Sequence, residues 1–306
     1  MMTELYPQNN FYLKFFSLLI ILASIIMFTV NKYWYHFPGL FYFEPSFLEL
    51  CLLFYMVRYG LKIQFGLSDD LVFLKFLKEI SIYSFIIALL IFSTSAIQYT
   101  PFQPIDKQIL ALEHYLHLDL NASITWLAEK KEAHRIASFL YDSVCFQVLL
   151  FPLWVMLCRK YEILYEFYFL VLITWLIGSF VYYLFPTTAP ASVIDSHYFI
   201  ESQRATGLKF WQLHHYIQPV TEDGGMVAMP SFHVIWGWLA VYILRPWPIV
   251  FVPMLVINAA MFASCALLGW HYFLDIVGSA VTLLFSHVIF FLCHKLRYFK
   301  FGDIII

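Results

Sequence analysis

Long apolar segments recur through the whole chain, and they constrain its fold more than any other feature. The stretches 11–30, 79–98, 136–158, 162–185 and 247–268 are almost unbroken runs of apolar side chains. Each is about 20 residues long, the length at which a helix crosses a bilayer. Within lipid, a segment satisfies its backbone hydrogen bonds only as a helix or in a closed barrel. The sequence therefore predicts an all-α fold, a polytopic membrane helical bundle.

Three further segments are apolar but less regular. The stretch 40–57 is interrupted by two glutamates and a proline, 231–245 is short, and 271–293 begins with polar residues. We therefore expect about six to eight transmembrane helices. The N-terminal helices occupy 1–100, the remaining helices form a second membrane unit over 101–295, and 296–306 is a cytoplasmic tail.

Composition supports a membrane protein and argues against other classes. The chain is 62% hydrophobic and only 12% charged, whereas soluble domains are about half apolar and a quarter charged. A net charge of −2 argues against a nucleic-acid partner. The five cysteines lie in or beside apolar runs without paired spacing, so neither a disulfide framework nor a zinc site is indicated.

Basic residues orient the predicted bundle. If all eight segments cross the membrane, the shorter loops and the tail carry the larger share of Lys and Arg, which marks the cytoplasmic side. The long loop 186–230 and the turn before His271 then face the periplasm, lumen or exterior. The basic residues of the cytoplasmic side are Arg58, Lys62, Lys75, Lys78, Arg159, Lys160, Arg245, Lys295, Arg297 and Lys300.

The other long external segment, 101–135, mixes charges with apolar residues three and four positions apart. This spacing predicts an amphipathic helix. Two placements stay open at this point. The helix lies on the bilayer surface, or it packs on the bundle as an ordinary surface helix.

Two polar clusters flank the last pair of apolar runs. The first is Pro230-Ser231-Phe232-His233, and the second contains His271, Asp275 and Gly278. If the intervening runs cross the membrane inward and back, both clusters end at the same face. Ionisable residues within membrane segments are costly and suggest function.

These residue types suit phosphoryl transfer through a covalent histidine. His271 and Asp275 are four apart and share one helix face, so the carboxylate can fix the ring tautomer and favour attack by the other nitrogen. A protonated His233 can donate its proton to a leaving oxygen. Ser231 looks like a helix cap whose free N–H groups favour a phosphate, and Gly225 permits a close backbone approach to it.

At these residues the chain resembles the type-2 phosphatidic acid phosphatase superfamily. Pro230 to His233 match the family's Pro-Ser-x-His motif, and His271 and Asp275 match the end of its Ser-Arg-x5-His-x3-Asp motif. The resemblance covers roughly residues 100–293. It implies a six-helix core, His271 as the nucleophile, Asp275 as its orienting partner and His233 as the general acid. It also implies that neither a metal nor a cofactor takes part.

The departures from the family pattern indicate a branch. Cys265 stands where the third motif has arginine, and no Lys-x6-Arg-Pro motif precedes Pro230. The Phe-Pro…Ala-Pro pattern of 185–190 and the stretch 104–116, which contains Asp106 and Glu113, look like the inositol phosphorylceramide synthase branch. Without the two arginines, the phosphate needs other cationic partners, and Arg204 and Lys209 in the external loop are the candidates.

The leading hypothesis is an inositolphosphotransferase-like enzyme that moves a phospho-head-group from a phospholipid donor to a lipid acceptor. The first alternative is a lipid phosphatase that uses water as the acceptor and acts on phosphatidic acid or a prenyl diphosphate. A third hypothesis, from another class, is a transporter or structural membrane protein in which these histidines are incidental. That hypothesis lacks support from visible inverted repeats or broken helix pairs.

Overall fold

The computed structural model describes residues 5–35, 45–221 and 227–302 of the 306-residue chain. These parts fold as an all-α bundle without strands, which confirms the predicted fold class. The helices are α1 (Leu5–Trp34), α2 (Ser46–Phe65), α3 (Val72–Ile97), α4 (Asp106–Tyr115), α5 (Leu120–Ala128), α6 (Lys131–Leu157), α7 (Tyr161–Leu184), α8 (Glu201–His214), α9 (Phe232–Tyr242), α10 (Pro248–Leu267) and α11 (Phe273–Gly302).

Six of the described helices are long and apolar enough to cross a membrane: α1, α3, α6, α7, α10 and α11. The segment predicted at 40–57 differs from this set. Within the described residues it forms α2, which starts at Ser46, runs on to Phe65 and buries none of its residues. The segment predicted at 231–245 is the 11-residue α9. Six clear spans and two weaker helices agree with the expected six to eight.

The direction of the helices requires the chain to return between α1 and α3. The Asn31 side chain near the end of α1 donates hydrogen bonds to the carbonyls of Ala96 and Tyr99, at 3.2 and 2.5 Å. The two helices therefore end at the same level and run in the same direction. α2 lies antiparallel along α3, where Ser81 Oγ donates to the Cys51 carbonyl at 2.9 Å. It is thus the described helix that runs back along α3, although it is not among the six helices long and apolar enough to cross a membrane.

α7 is the central helix of the bundle. Most of its own side chains are buried, and they lie on several sides of the helix. Trp175 donates from Nε1 to Ser93 Oγ of α3 at 3.0 Å, and the Tyr168 hydroxyl donates to the Glu79 carbonyl at 3.1 Å. At the far end, Tyr242 of α9 donates to Glu166 Oε1 at 2.7 Å. These contacts join α7 to α3 and to α9.

α4, α5 and α8 form an outer layer over one end of the bundle. The predicted amphipathic helix over 101–135 is α4, α5 and the start of α6 instead of a single helix. Apolar side chains of α5, including Leu120, Ile124 and Leu127, are buried. Gln203 of α8 donates to the Leu268 carbonyl at 2.8 Å. These short helices therefore pack on the bundle, which is one of the two placements left open by the sequence.

Candidate active site

The turn between α10 and α11 delivers the second polar cluster to the end of the bundle beneath the outer layer. Gly269 has a φ of +79°, in the left-handed region that favours glycine. A Cβ at Gly269 would lie 2.6 Å from the Phe199 ring, so the position also needs a small residue. The N–H groups of Trp270 and His271 both donate to the Cys265 carbonyl, at 3.1 and 3.0 Å. This turn fixes His271 just before α11.

His271 and Asp275 form a buried pair. Nδ1 of His271 lies 3.3 Å from Asp275 Oδ2, and the backbone N–H of Tyr272 donates to the same oxygen at 3.0 Å. His271 is only 5% exposed and Asp275 is fully buried. Because Nδ1 faces the carboxylate, Nε2 is the ring nitrogen left for substrate.

Burial also sets the protonation state of His271. It lowers the pKa of this ring from 6.5 to about 4, and an interaction with the Ala228 backbone opposes the shift. The charged ring loses more hydration than the neutral ring when both leave water. His271 is therefore neutral at pH 7, the state that a nucleophilic nitrogen requires.

The first polar cluster begins α9. Ser231 is the N-cap residue, and its side chain accepts a hydrogen bond from the Val234 N–H at 3.4 Å. Ser279 of α11 donates to the Ser231 carbonyl at 3.0 Å. The start of α9 is thus held against α11, on which Asp275 lies.

His233 and His271 face each other across a short gap. Their ring centroids are 5.9 Å apart. His233 stacks on Tyr141 of α6 with centroids 4.2 Å apart, and Tyr141 in turn stacks on Trp270 at 5.3 Å. The Tyr141 hydroxyl lies 3.4 Å from Nδ1 of His233. Both rings therefore lie close enough to contact one phosphate group bound beside them.

The two histidines line one end of an apolar cavity of about 500 Å³, which we call its mouth, and the cavity is enclosed mainly by α3, α6, α7 and α9. Most of its other lining residues are aliphatic or aromatic. Along α3 the lining runs from Thr94 inward to Tyr83, a depth of about 16 Å by helical rise. The Tyr83 hydroxyl donates to the Val148 carbonyl of α6 at 2.5 Å and joins the two helices at the cavity floor.

The residues predicted to bind substrate do not all meet at this mouth. Ser231 is fully buried and serves as a helix cap. Arg204 is exposed, and its guanidinium donates to the carbonyls of Ser196 and Phe199 at 3.0 and 3.3 Å. Lys209 is fully buried in α8. None of the three is among the cavity lining, and Gly225 lies outside the described residues.

The cavity is short of positive charge. Within the described ranges, no Lys or Arg lines it, and Cys265 at the family's arginine position is fully buried among apolar residues. The first two residues of α9, Phe232 and His233, do line it. The N-terminus of a helix carries a partial positive charge, so α9 provides positive potential at the mouth.

Two residues near the histidines escaped the sequence reasoning, and two more entered it without a role. Tyr141 and Trp270 stack beside His233, and each reads in the sequence as one more aromatic residue of an apolar run. Asp106 and Glu113 were noted only through the family resemblance, and both contact the start of α11. Among the described side chains, no group of three or more His, Cys, Asp or Glu is placed to hold a metal ion.

Comparison with known proteins identifies the family. A family model described as the PAP2 superfamily matches residues 107–289, which is more than half of the chain and includes both histidine clusters. No curated protein and no solved structure matches the chain. The superfamily contains phosphatases and phosphotransferases. With its six apolar helices and this match, the chain is a membrane protein that belongs to the PAP2 superfamily.

Proposed function

We propose that this protein is a membrane phosphotransferase that moves a phospho-head-group from a lipid donor to an alcohol acceptor through a phosphohistidine at His271. The observation that supports this most strongly is the facing pair of histidines, 5.9 Å between ring centroids, at the mouth of an apolar cavity. Asp275 lies on the Nδ1 side of His271, as a covalent mechanism requires.

In the first step, Nε2 of neutral His271 attacks the phosphorus of the donor. A nitrogen–phosphorus bond forms while the bond from phosphorus to the lipid alcohol oxygen breaks. His233 enters this step protonated and gives its proton to the departing oxygen. The ring of His271 gains positive charge as it is phosphorylated, and the Asp275 carboxylate stabilises that charge.

In the second step, His233 is neutral and acts as the base. It removes the proton of the acceptor hydroxyl, whose oxygen attacks the phosphorus. The nitrogen–phosphorus bond breaks, and His271 returns to its neutral form. The two steps leave the enzyme unchanged and exchange one alcohol for another on the phosphate.

The cavity supports a lipid as the donor. Its lining is almost wholly apolar, and its depth of about 16 Å is close to one leaflet of a hydrocarbon core about 30 Å thick. A hydrocarbon chain in the cavity would keep its phosphate at the histidines. The rest of the lipid can remain in the surrounding bilayer.

The shelter of the site favours an alcohol acceptor over water. His271 is 5% exposed, and the stacked rings of Tyr141 and Trp270 lie beside His233. A site that excludes water protects a reactive intermediate from hydrolysis. The second candidate is a lipid phosphatase that acts on phosphatidic acid or a prenyl diphosphate. It uses the same phosphohistidine and differs only in its acceptor.

Two segments connect the proposal to the inositol phosphorylceramide synthase branch. The stretches 104–116 and 185–190 carry that likeness, and they contact each other. Ile105 N–H donates to the Pro186 carbonyl at 2.9 Å, and the Asp106 carboxylate accepts from the Thr188 N–H at 2.9 and 3.0 Å. Their contact is the reason to include inositol phospholipids among the donors to be tested.

We also propose that the site faces the periplasm, lumen or exterior. Lys62, Arg159, Lys160 and Arg245 lie at helix ends opposite His233 and His271, and a basic excess marks the cytoplasmic side. A cysteine placed at Arg204 should react with an impermeant thiol reagent in sealed cells, and one placed at Lys160 should not. The reverse labelling pattern would overturn this orientation.

The test of the proposed function uses purified protein in liposomes. Labelled phosphatidylinositol is supplied with ceramide or diacylglycerol, and labelled phosphatidic acid is supplied separately. We expect a new phospholipid with wild type and none with His271→Ala, while His215→Ala, an exposed histidine of the outer layer, serves as the matched control. Free phosphate without any transfer product would establish the phosphatase instead. Full biological activity of a folded His271→Ala protein would favour the transporter or structural hypothesis.

A further inference from the structure

α4 carries two buried carboxylates that the chemistry of the histidines does not use. Asp106 is 2% exposed and Glu113 is 1% exposed. Neither forms an ion pair with a Lys or Arg among the described residues. Burial raises the pKa of both carboxyl groups, and hydrogen bonds from Thr188 to Asp106 and from Leu274 to Glu113 oppose the shift. Burying a carboxylate costs free energy unless it accepts hydrogen bonds. The groups that donate to Asp106 and Glu113 therefore indicate which part of the fold each carboxylate stabilises.

Asp106 binds Tyr272, the residue that follows His271 and precedes α11. Its Oδ1 accepts a hydrogen bond from the Tyr272 hydroxyl at 2.8 Å. The Tyr272 side chain is fully buried, and the Tyr272 backbone N–H donates to Asp275 Oδ2 at 3.0 Å. One residue thus connects the α4 carboxylate to the carboxylate that faces His271.

Glu113 holds the first turn of the same helix. Its Oε1 accepts from the Leu274 N–H at 2.9 Å. The first N–H groups of a helix have no partner within the helix, so Glu113 acts as a cap supplied by a distant segment. Asp106 and Glu113 lie seven residues apart, about two turns of α4, so they lie on the same face of that helix.

We propose that Asp106 and Glu113 are positioning residues that fix the turn from His271 to Asp275. This inference rests on the proposed function. With the turn held, Nδ1 of His271 stays beside Asp275 and Nε2 stays directed at the substrate phosphorus. The distance from Nδ1 to Oδ2 is already 3.3 Å, at the long end for a hydrogen bond. A displacement of about 1 Å at such a site can cost roughly a hundredfold in rate.

The competing explanation is that α4 only anchors the outer layer during folding. The two explanations differ in what a folded variant does. A purely structural carboxylate changes the amount or stability of folded protein and leaves turnover per folded molecule intact. A positioning carboxylate changes turnover and binding of a transition-state analogue while substrate binding is maintained.

The first experiment removes the hydrogen bond between Asp106 and Tyr272 from either side. Asp106→Ala and Tyr272→Phe should each lower kcat by about 10- to 100-fold with KM within about twofold. Inhibition by orthovanadate should weaken in parallel with kcat/KM. Because both changes remove one bond, the double variant should be no more than about threefold worse than the poorer single variant.

The second experiment separates a hydrogen bond from a charge at Glu113. Glu113→Gln keeps a carbonyl oxygen for the Leu274 N–H and should retain most of the wild-type kcat, whereas Glu113→Ala should lose about 10-fold or more. Glu132→Gln, which changes an exposed carboxylate of α6, is the matched control and should behave as wild type. Thermal unfolding and gel filtration check that each variant is folded.

These outcomes separate the inference from the proposed function. If wild type forms neither a phosphohistidine nor a transfer product, the proposed function itself fails. If wild type is active but folded Tyr272→Phe and Glu113→Ala retain wild-type kcat and orthovanadate inhibition, the positioning role is wrong. Fully multiplicative losses in the Asp106→Ala and Tyr272→Phe double variant would also overturn it. Should Asp106→Ala fail to fold, Tyr272→Phe alone still tests the bond.

Discussion

At the residue scale, the chemistry depends on how two similar side chains differ in surroundings. His271 lies on the Asp275 carboxylate and is buried beneath the outer layer. His233 stacks on an aromatic ring at the mouth of the cavity and has no carboxylate among its described contacts. A neighbouring carboxylate stabilises positive charge on a ring, and for this reason we propose that His271 carries the phosphoryl group. The role proposed for His233 is to exchange protons.

The first prediction concerns pH. The pKa of His271 falls from 6.5 to about 4 on burial, so the acid limb of kcat/KM should have its midpoint near 4. Between pH 6.5 and about pH 4, the His271 ring binds a proton in the unfolded chain but not in the folded chain. Stability should therefore fall as pH decreases from 6.5 towards 4.

The measurement is kcat/KM across pH in liposomes, with thermal unfolding of the same protein. An acid limb centred at the ordinary histidine value, or a flat profile with chemistry shown to be rate-limiting, would contradict the assignment of His271.

The second prediction separates the two histidines by leaving group. A poor leaving alcohol needs a proton from His233, whereas a p-nitrophenyl group departs without one. His233→Gln should therefore slow transfer from a lipid donor by about 100-fold or more but change transfer from a p-nitrophenyl phosphodiester far less. His271→Ala should be inactive towards both donors. Equal losses with both donors in His233→Gln would show that His233 is not the general acid.

At the element scale, the short helix α9 determines where the chemistry takes place. Eleven residues extend about 16 Å, about half of the hydrocarbon core. Its N-terminus therefore ends below the outer layer formed by α4, α5 and α8. At its other end, Tyr242 and Arg245 bind Glu166 of α7. This anchoring fixes the depth at which His233 meets His271.

The third prediction compares two glycines. A Cβ at Gly237 of α9 would lie 2.3 Å from Met261 Cε and 2.9 Å from Asn258 Oδ1, whereas a Cβ at Gly278 of α11 would meet nothing nearer than 3.6 Å. The close approach between α9 and α10 thus occurs at Gly237. Gly237→Ala should destabilise the protein by about 1–3 kcal/mol and Gly278→Ala by less than about 0.5 kcal/mol. Thermal unfolding in detergent measures both, and equal effects would contradict the packing of α9 on α10.

The fourth prediction concerns the floor of the cavity. Tyr83 closes its inner end by bonding to α6 at Val148. Tyr83→Ala should open space below and shift preference towards donors with longer hydrocarbon chains. Tyr83→Phe keeps the ring and should retain the wild-type preference. Turnover of donors that differ only in chain length provides the measurement. An unchanged preference in Tyr83→Ala would show that the chain does not reach this floor.

At the scale of the whole molecule, the bundle was predictable because apolar length is a local property of sequence. The bounds of α2, which starts at Ser46 and runs on to Phe65, were harder to predict, since its charges lower its apolar character and its pairing with α3 is a tertiary contact. The meeting of His233 and His271 follows from an even number of crossings between them. That argument needs only the spacing of two apolar runs.

The surroundings of the site were not predictable in the same way. Tyr141 reaches His233 from 92 residues away, and Asp106 reaches Tyr272 from 166 residues away. No local pattern encodes such contacts. Arg204 and Lys209 were predicted to bind phosphate because they are positively charged. Charge alone does not reveal where a side chain lies in the fold. Arg204 instead binds carbonyls of its own loop, and Lys209 is buried in α8.

The most direct test of the account is to trap the covalent intermediate. Wild type and His271→Ala are mixed with a donor lipid labelled in its phosphate, quenched within milliseconds and analysed by mass spectrometry. We predict the labelled phospho-head-group of the donor on His271 of wild type, attached through an acid-labile nitrogen–phosphorus bond and chased away by acceptor. The His271→Ala protein should carry none. Transfer by wild type without any labelled histidine, or equal transfer by folded His271→Ala, would contradict the central claim.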